Sequence, residues 1–263
     1  MDVTVYNLNG EPAQTLAVKH IFADAVRTDL IKRAVRAEQA NRRQPYGTDP
    51  LAGKRTSAHY HGRRGIYRTM MNREMARMKR IHTMGFLNFR ARFVPQATKG
   101  RKAHPPTTEK DYTLKINQKE HKKALYAALA ASVDTDMLSK RGHIITGLTI
   151  PLIIEDSFEG LKKNKDVTTV LAKLGLAKEL HRSAQRHIRA GTGTRRGRTS
   201  RTRKGPLIII GKDQGIRKAS RNIPGVDMVA ARNLSVTDLA PGAHPGRLCI
   251  FTHSALAELE KAR

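Results

Sequence analysis

The chain has one cysteine in 263 residues, Cys249, and therefore no second thiol with which to close an internal disulfide. It lies in the apolar run Arg247-Leu248-Cys249-Ile250-Phe251, the setting of a buried core thiol, and fits a reducing compartment. Long hydrophobic runs are missing too. The longest, such as Leu207-Ile208-Ile209-Ile210, have the length of buried strands, far short of the roughly 18 residues of a membrane span, so no membrane partner is expected. The first residues, Met1-Asp2-Val3-Thr4-Val5-Tyr6, have neither the basic n-region nor the apolar h-region of a signal peptide. A cytoplasmic protein is the expectation.

The absence with the largest consequence is local. Between Asn41 and His104 there are only two carboxylates, Asp49 and Glu74, against 16 Lys/Arg. Between Arg186 and Lys204 there is none, against eight Lys/Arg. These segments carry +14 and +8 of the formal net charge of +28. The other 180 residues hold 26 basic and 20 acidic side chains, an ordinary balance for a folded surface. Dense like charge is stable beside a polyanion, and the commonest one in a cell is nucleic acid.

Apolar side chains are scarce in the same place. Residues 41–104 contain five Leu, Ile and Val in total and six glycines. Such a stretch cannot offset an ordering entropy of about 1–2 kcal/mol per residue, so it is either disordered or ordered by something outside itself. Out and back, it could reach at most about 100 Å.

Elsewhere the periodicity is that of a folded body. Strands are expected at Val3–Leu8, Pro151–Ile154, Pro206–Ile210, Val226–Ala230 and Arg247–Phe251. Helices are expected from about Ile21 to Asn41, over Lys119–Val133, through Val167–Leu174 to a stop at Gly175, and over Ser254–Ala262. Glu155-Asp156-Ser157 would cap the helix after it. Short apolar runs alternating with helices argue for an α/β class: one globular domain over residues 1–263, its largely parallel sheet flanked by helices. A long basic internal loop (41–104) and a shorter one (186–204) interrupt it.

Six of the twelve aromatics lie in the long segment: Tyr46, Tyr60, Tyr67, Phe86, Phe89 and Phe93. Interleaved with arginines, they suit base stacking and forked phosphate contacts. A disordered cationic tail binding any polyanion weakly is the competing reading. Within this segment, Met71, Met75 and Met78 would share one helical face and Arg73, Arg77 and Arg80 another. Such a helix would either pack its methionines locally or turn them toward a variable partner such as a passing peptide.

The glycines from Gly191 to Gly197 do not match a phosphate loop or a dinucleotide fingerprint, and they precede a strand where both fingerprints follow one. An RNA-backbone clamp fits better. His59-Tyr60-His61 has no cysteine or carboxylate beside it to complete a zinc set, so no metal or cofactor is expected. No nucleophile elbow is present. Glu155-Asp156 is the one carboxylate pair at a strand end, and capping explains it better than catalysis.

Four longer motifs carry a resemblance. Ala37-Glu38-Gln39-Ala40-Asn41-Arg42-Arg43-Gln44-Pro45-Tyr46-Gly47 resembles the loop entry of the universal large-subunit ribosomal L-four family in its archaeal form. Arg92-Phe93-Val94-Pro95-Gln96-Ala97-Thr98-Lys99-Gly100-Arg101-Lys102-Ala103-His104-Pro105-Pro106-Thr107-Thr108-Glu109-Lys110-Asp111 resembles its loop exit. Ile188–Arg198 and Ala240–Leu248 are similar to further segments of that family.

The resemblance implies a non-enzymatic protein in the cytoplasmic large ribosomal subunit. Its internal loop would thread through ribosomal RNA and line the constriction of the peptide exit tunnel, beside a protein of the L-twenty-two family and the nascent polypeptide. It carries RNA contact onto Arg42, Arg43, Lys99, Arg101 and Lys102, and onto Arg195, Arg196 and Arg198. Charge and position add Lys54, Arg55, Arg63, Arg64, Arg68, Arg73, Arg77, Lys79, Arg80, Arg90, Arg92, Arg201, Arg203 and Lys204. The family's loop is glycine-rich where this chain has its Met/Arg run. The tip is therefore expected among Arg63, Arg64, Gly65, Ile66, Tyr67, Met70, Met71, Met75 and Met78. The alternatives are an enzyme acting on RNA, with Glu155 or Asp156 in its chemistry, and a non-specific basic chaperone.

Overall fold

A computed structural model describes residues 2–18 and 20–262. It divides into two compact units, residues 43–112 and the rest of the chain.

The larger unit opens with β1 (Asp2–Tyr6), β2 (Pro12–Ala17) and α1 (Thr28–Asn41). After the smaller unit come α2 (Gln118–Ala131), α3 (Thr135–Arg141), β3 (Leu152–Ile154), α4 (Asn164–Leu171) and α5 (Ala177–Ala184). A short excursion follows, made of β4 (Arg186–Ile188), α6 (Thr192–Arg195) and β5 (Ser200–Thr202). The chain then runs through β6 (Leu207–Ile210), α7 (Ile216–Ser220), β7 (Asp227–Ala230), α8 (Val236–Leu239), β8 (Cys249–Thr252) and α9 (His253–Lys261).

The six-stranded sheet has the order β2-β1-β3-β8-β6-β7 and is parallel except for the β1–β2 hairpin at one edge. Successive side chains point to opposite faces of a strand. Leu207, Ile209, Ile153, Cys249 and Phe251 therefore meet α1, α2, α8 and α9 on one face. Leu152, Ile154, Ile208, Ile210 and Ile250 meet α3, α4 and α7 on the other. Burial on both faces is why the central strands read as unbroken apolar runs.

The α/β class with a largely parallel sheet is as expected; several local features differ. The first helix begins at Thr28, well after Ile21. Ile21 is wholly buried from a turn, and Phe22 packs edge-on against Phe251 with ring centroids 5.5 Å apart, so the apolar spacing there marks burial without helix. The edge strand β2 went unread because its side chains are largely exposed and give no alternation. At Gly175 (φ 83) the backbone kinks without stopping, and α5 follows directly. Asp156 does cap a helix, but a different one: its Oδ1 accepts from the Ser254 N–H, 2.7 Å away, in the first turn of α9.

The smaller unit has no helix or extended strand. Antiparallel bridges pair His59 with Arg80 and Arg80 with Ala91, so three passes of chain lie side by side. Reciprocal backbone bonds link His59 and Arg80 at 3.1 and 3.0 Å, and Ile81 and Arg92 continue the ladder through Arg90 and Lys79. Only Met70 and Ile81 among its side chains are buried hydrophobics. The helix expected over Met70–Arg80 is absent. Asn72 takes a left-handed backbone conformation (φ 55), which interrupts a helical ladder near its start, and turns and bends occupy the segment.

Candidate nucleic-acid interface

In the larger unit, α5 delivers the chain into the second basic segment. β4 and β5 pair antiparallel, Arg186 opposite Thr202 and Ile188 opposite Ser200, and every side chain on both strands is exposed. The two strands hold up the turn that carries Arg195, Arg196 and Arg198, all exposed, with Arg201, Arg203 and Lys204 on the return. Lys204 bends back to Asp227, Nζ to Oδ2 2.7 Å.

Beside this hairpin lies a groove of about 1140 Å³. Lys140, Arg141, Arg182, Arg189, Arg201, Arg203 and Lys204 line it, together with His187, His244 and two prolines, Pro241 and Pro245, and among the described residues no carboxylate does. Two of the sequence motifs, Ile188–Arg198 and Ala240–Leu248, thus contribute to one basic wall. Arg141 fastens the second motif: its guanidinium donates to the carbonyl of Pro241 at 2.9 Å and to that of His244. Among the described residues no carboxylate pairs with Arg141. Burial, with Arg247 and Arg182 nearby, pulls its pKa down to about 10. A cation satisfied only by carbonyls is poised for an anion from outside. Sequence reasoning missed Lys140, Arg141 and Arg182 because they sit on body helices of ordinary composition.

The wall rests on a buried network. Glu179 accepts from Arg182 (Nη2 to Oε1 2.5 Å), from His143 Nδ1 (2.6 Å) and from the Ile144 N–H (3.0 Å). Burial pushes the Glu179 carboxyl up, but these donors outweigh it and hold its pKa at about 2. Burial also lowers the His143 pKa, against the pull of Glu179, so the imidazole is neutral beside an ionised carboxylate.

Loop-entry residues have structural work as well. Glu38, near the end of α1, accepts from the Val236 and Thr237 N–H groups at 3.1 and 2.9 Å, capping α8, and pairs with His121 at 2.9 Å. Burial raises its pKa, and the bonds from Thr237 and His121 bring it below the ordinary value. Arg42 caps the C-terminus of α1 and lies 3.4 Å from Ser235 Oγ.

In the smaller unit, cations and rings pair instead of forming a core. Arg43 lies over Tyr112 at 4.2 Å, Arg73 over Phe89 at 4.3 Å, Lys79 over Phe93 at 4.2 Å and Arg90 over Phe86 at 5.6 Å. Arg80 donates to the carbonyls of Phe89 and Ala76 at 2.7 and 2.9 Å, Arg92 to Thr98, and Arg68 to His82. Arg55 pairs with Asp49. Lys54, Arg63, Arg64, Arg77, Lys99 and Lys102 are exposed, while Arg101 packs its backbone against Gly53.

Of the residues expected at the tip, Met70 is buried and Met71, Met75 and Met78 are half-buried. Arg63, Arg64, Gly65, Ile66 and Tyr67 stand exposed on one turn. A second exposed apolar turn carries Met84 and Phe86 around Gly85, whose φ of 91 favours glycine.

Nothing catalytic emerges at the strand ends. Glu155 accepts from Ser157, and Asp156 is spent on α9. The buried Glu159 accepts from the Gly211 N–H (2.8 Å), Thr252 Oγ1 (2.7 Å) and Ser254 Oγ (2.8 Å), tying β6 to β8.

Comparison with known proteins matches residues 16–262 to the model of the ribosomal protein L4/L1 family. A protein of Methanopyrus kandleri named large ribosomal subunit protein uL4 is 46% identical over 263 residues, covering 99% of this chain and 98% of that one. Those of Haloquadratum walsbyi and Nanoarchaeum equitans, with the same name, are 44% and 43% identical over 98% and 100% of this chain and 99% of each relative.

Proposed function

This chain belongs to the ribosomal protein L4/L1 family, and from that premise we propose that it is built into the large ribosomal subunit with both basic segments laid against ribosomal RNA. Its role is structural and not catalytic. The observation that carries the RNA reading is the carboxylate-free groove of seven Lys/Arg beside an exposed arginine hairpin. Phosphate is the anion that such a wall selects, and its many cations give affinity without demanding one sequence.

Residues 41–104 thread between RNA segments as one long loop, and 186–204 clamp backbone from the body. Arg42, Arg43, Lys54, Arg63, Arg64, Arg77, Lys99, Arg101 and Lys102 meet phosphate. Arg195, Arg196, Arg198, Arg201, Arg203 and Lys204 do so from the second loop. The remaining arginines of the long loop and Lys79 first shape its fold, through rings, carbonyls and, for Arg55, the Asp49 carboxylate. The exposed Arg63–Tyr67 turn lines the peptide exit tunnel, facing the nascent chain near a protein of the L-twenty-two family. Ile66 and Tyr67 are its apolar contact surface, at 43% and 77% exposure.

Crosslinking and sequencing of bound RNA, after sedimentation of cell lysate, tests this. The expected result is co-sedimentation with the large subunit and crosslinks from both basic segments to large-subunit RNA. Soluble protein crosslinked to assorted messenger or transfer RNAs would overturn it.

A further inference from the structure

The smaller unit solves one problem by unusual means. It folds three passes of chain together with two buried hydrophobics and no disulfide. Segments of this size that lack a core are commonly stapled by a metal.

Three histidines meet where the passes cross. His59, His61 and His82 have ring centroids 4.3 to 4.7 Å apart. One ring nitrogen of each lies within 4.8 Å of the others. His82 comes from 21 residues beyond His61, which is why adjacent spacing gave no sign of the set.

The hydrogen bonds decide what these rings offer. His59 Nδ1 lies 2.9 Å from the Ser57 carbonyl, and His61 Nδ1 lies 3.2 Å from the Tyr67 carbonyl. His82 Nε2 lies 3.3 Å from the carbonyl of His59. A carbonyl only accepts, so each bonded nitrogen carries the N–H, and the other keeps a lone pair. The nitrogens left over are Nε2 of His59, Nε2 of His61 and Nδ1 of His82. His82 Nδ1 is buried and has no hydrogen-bond partner. Three acceptors cannot satisfy one another. A backbone carbonyl behind each imidazole is also the arrangement that fixes tautomer and ring direction in histidine metal sites.

We propose that His59, His61 and His82 bind one late first-row divalent metal ion of the zinc class through their three free ring nitrogens, stapling the crossing of the smaller unit. An all-imidazole set selects such a metal over magnesium or calcium, which want oxygen. The nearby Arg68, which donates to the His82 carbonyl, further disfavours a cation held by charge alone. Zn–N bonds of about 2.0–2.1 Å require the nitrogens to close on one another and the His61 and His82 rings, stacked 9° from parallel, to tilt until both lone pairs point at a common centre. The fourth position is left to water or to an oxygen from RNA phosphate. The staple joins the 59–61 pass to residue 82, the two passes whose backbones already pair through His59 and Arg80.

The test is titration of the chelator-stripped full chain, alone and bound to transcribed large-subunit RNA, with Co²⁺ followed by Zn²⁺ competition. The expected result is one equivalent of Co²⁺ with tetrahedral visible bands, displaced by Zn²⁺. His61→Asn and His82→Asn should each weaken it by more than about 100-fold, since losing even a hydrogen-bond partner behind a ligand costs up to that much. His82→Cys, which keeps a ligand there, and His104→Asn, outside the cluster, should retain binding. Unchanged binding in His82→Asn, or no tetrahedral spectrum in either the free or the RNA-bound chain, would overturn the proposal.

Discussion

Arg247 Nη2 lies 2.6 Å from Asp227 Oδ2, with the arginine side chain 1% exposed and the aspartate 38%. The same guanidinium donates to the carbonyls of Gly205 (3.0 Å) and Asp238 (2.8 Å), joining the ends of β6, β7 and β8. Removing it leaves two carbonyls without their donor and Asp227 with Lys204 alone. Arg247→Met should therefore cost about 3 kcal/mol, at roughly 1–3 kcal/mol for each buried carbonyl left unsatisfied. Asp227→Asn leaves the Arg247 charge, 1% exposed, without a carboxylate and should cost at least as much, about 3 kcal/mol. Urea midpoints of the two variants check this; a loss below about 1 kcal/mol in Asp227→Asn would show that the buried guanidinium does not need its counter-charge.

The Glu179 network makes stability depend on pH, with a definite sign. Glu179 is held at about 2 against an ordinary 4.5, and His143 is held below 6.5. Both lowered values mean that the unfolded chain binds more protons, so stability rises with pH through this range. It is fully present above about 6.5, and acid removes it first through His143 and then through Glu179. The glutamate alone accounts for about 3 kcal/mol at 1.36 kcal/mol per unit. Thermal melts between pH 7 and pH 3 should show this acid limb, and Glu179→Gln should flatten it below pH 4.5. An unchanged slope in that variant would assign the acid sensitivity elsewhere.

Gly100 is pinned at the exit of the long loop. A Cβ built there would sit 1.9 Å from the Val94 carbonyl oxygen, a backbone atom with no room to retreat. Gly53, at φ 73, would place one 2.6 Å from the Arg101 backbone nitrogen. Gly100→Ala should open this turn and speed proteolysis within residues 43–112, while the melting temperature of the body moves by less than about 2 °C, because the two units are compact on their own. Limited digestion with mass mapping reads the first effect and calorimetry the second. A lowered body melt would show that the loop turn supports the sheet.

The legibility of this chain followed burial. Leu207–Ile210 is buried on both faces, and an unbroken apolar run says so directly. The exposed β2 left no such trace. Charge density located both basic segments because their carboxylates are missing outright. It could not locate Arg141 or Arg182, whose importance comes from where α3 and α5 end. The methionine spacing suggested a helix, since side-chain periodicity is blind to the left-handed turn at Asn72. His82 joined His59 and His61 only through tertiary pairing, which no local pattern encodes.

The last prediction separates arginines that meet phosphate from those that shape the protein. Arg195, Arg196 and Arg198 are exposed on the hairpin turn, with no carboxylate paired to them among the described residues. Each contact with single-stranded RNA contributes about 0.7 to the log–log slope of affinity against salt. The triple Arg→Ala variant should therefore bind large-subunit RNA with a slope shallower by about 2. Arg80 behaves differently, because its two Nη groups are turned inward onto the carbonyls of Phe89 and Ala76 and its Nε is buried. Arg80→Gln should leave the slope within about 0.5 of the parent and weaken binding by loosening the crossing of the loop. Filter-binding isotherms across a salt series measure both slopes. A full unit of slope lost in Arg80→Gln would make that residue a phosphate contact and return it to the interface.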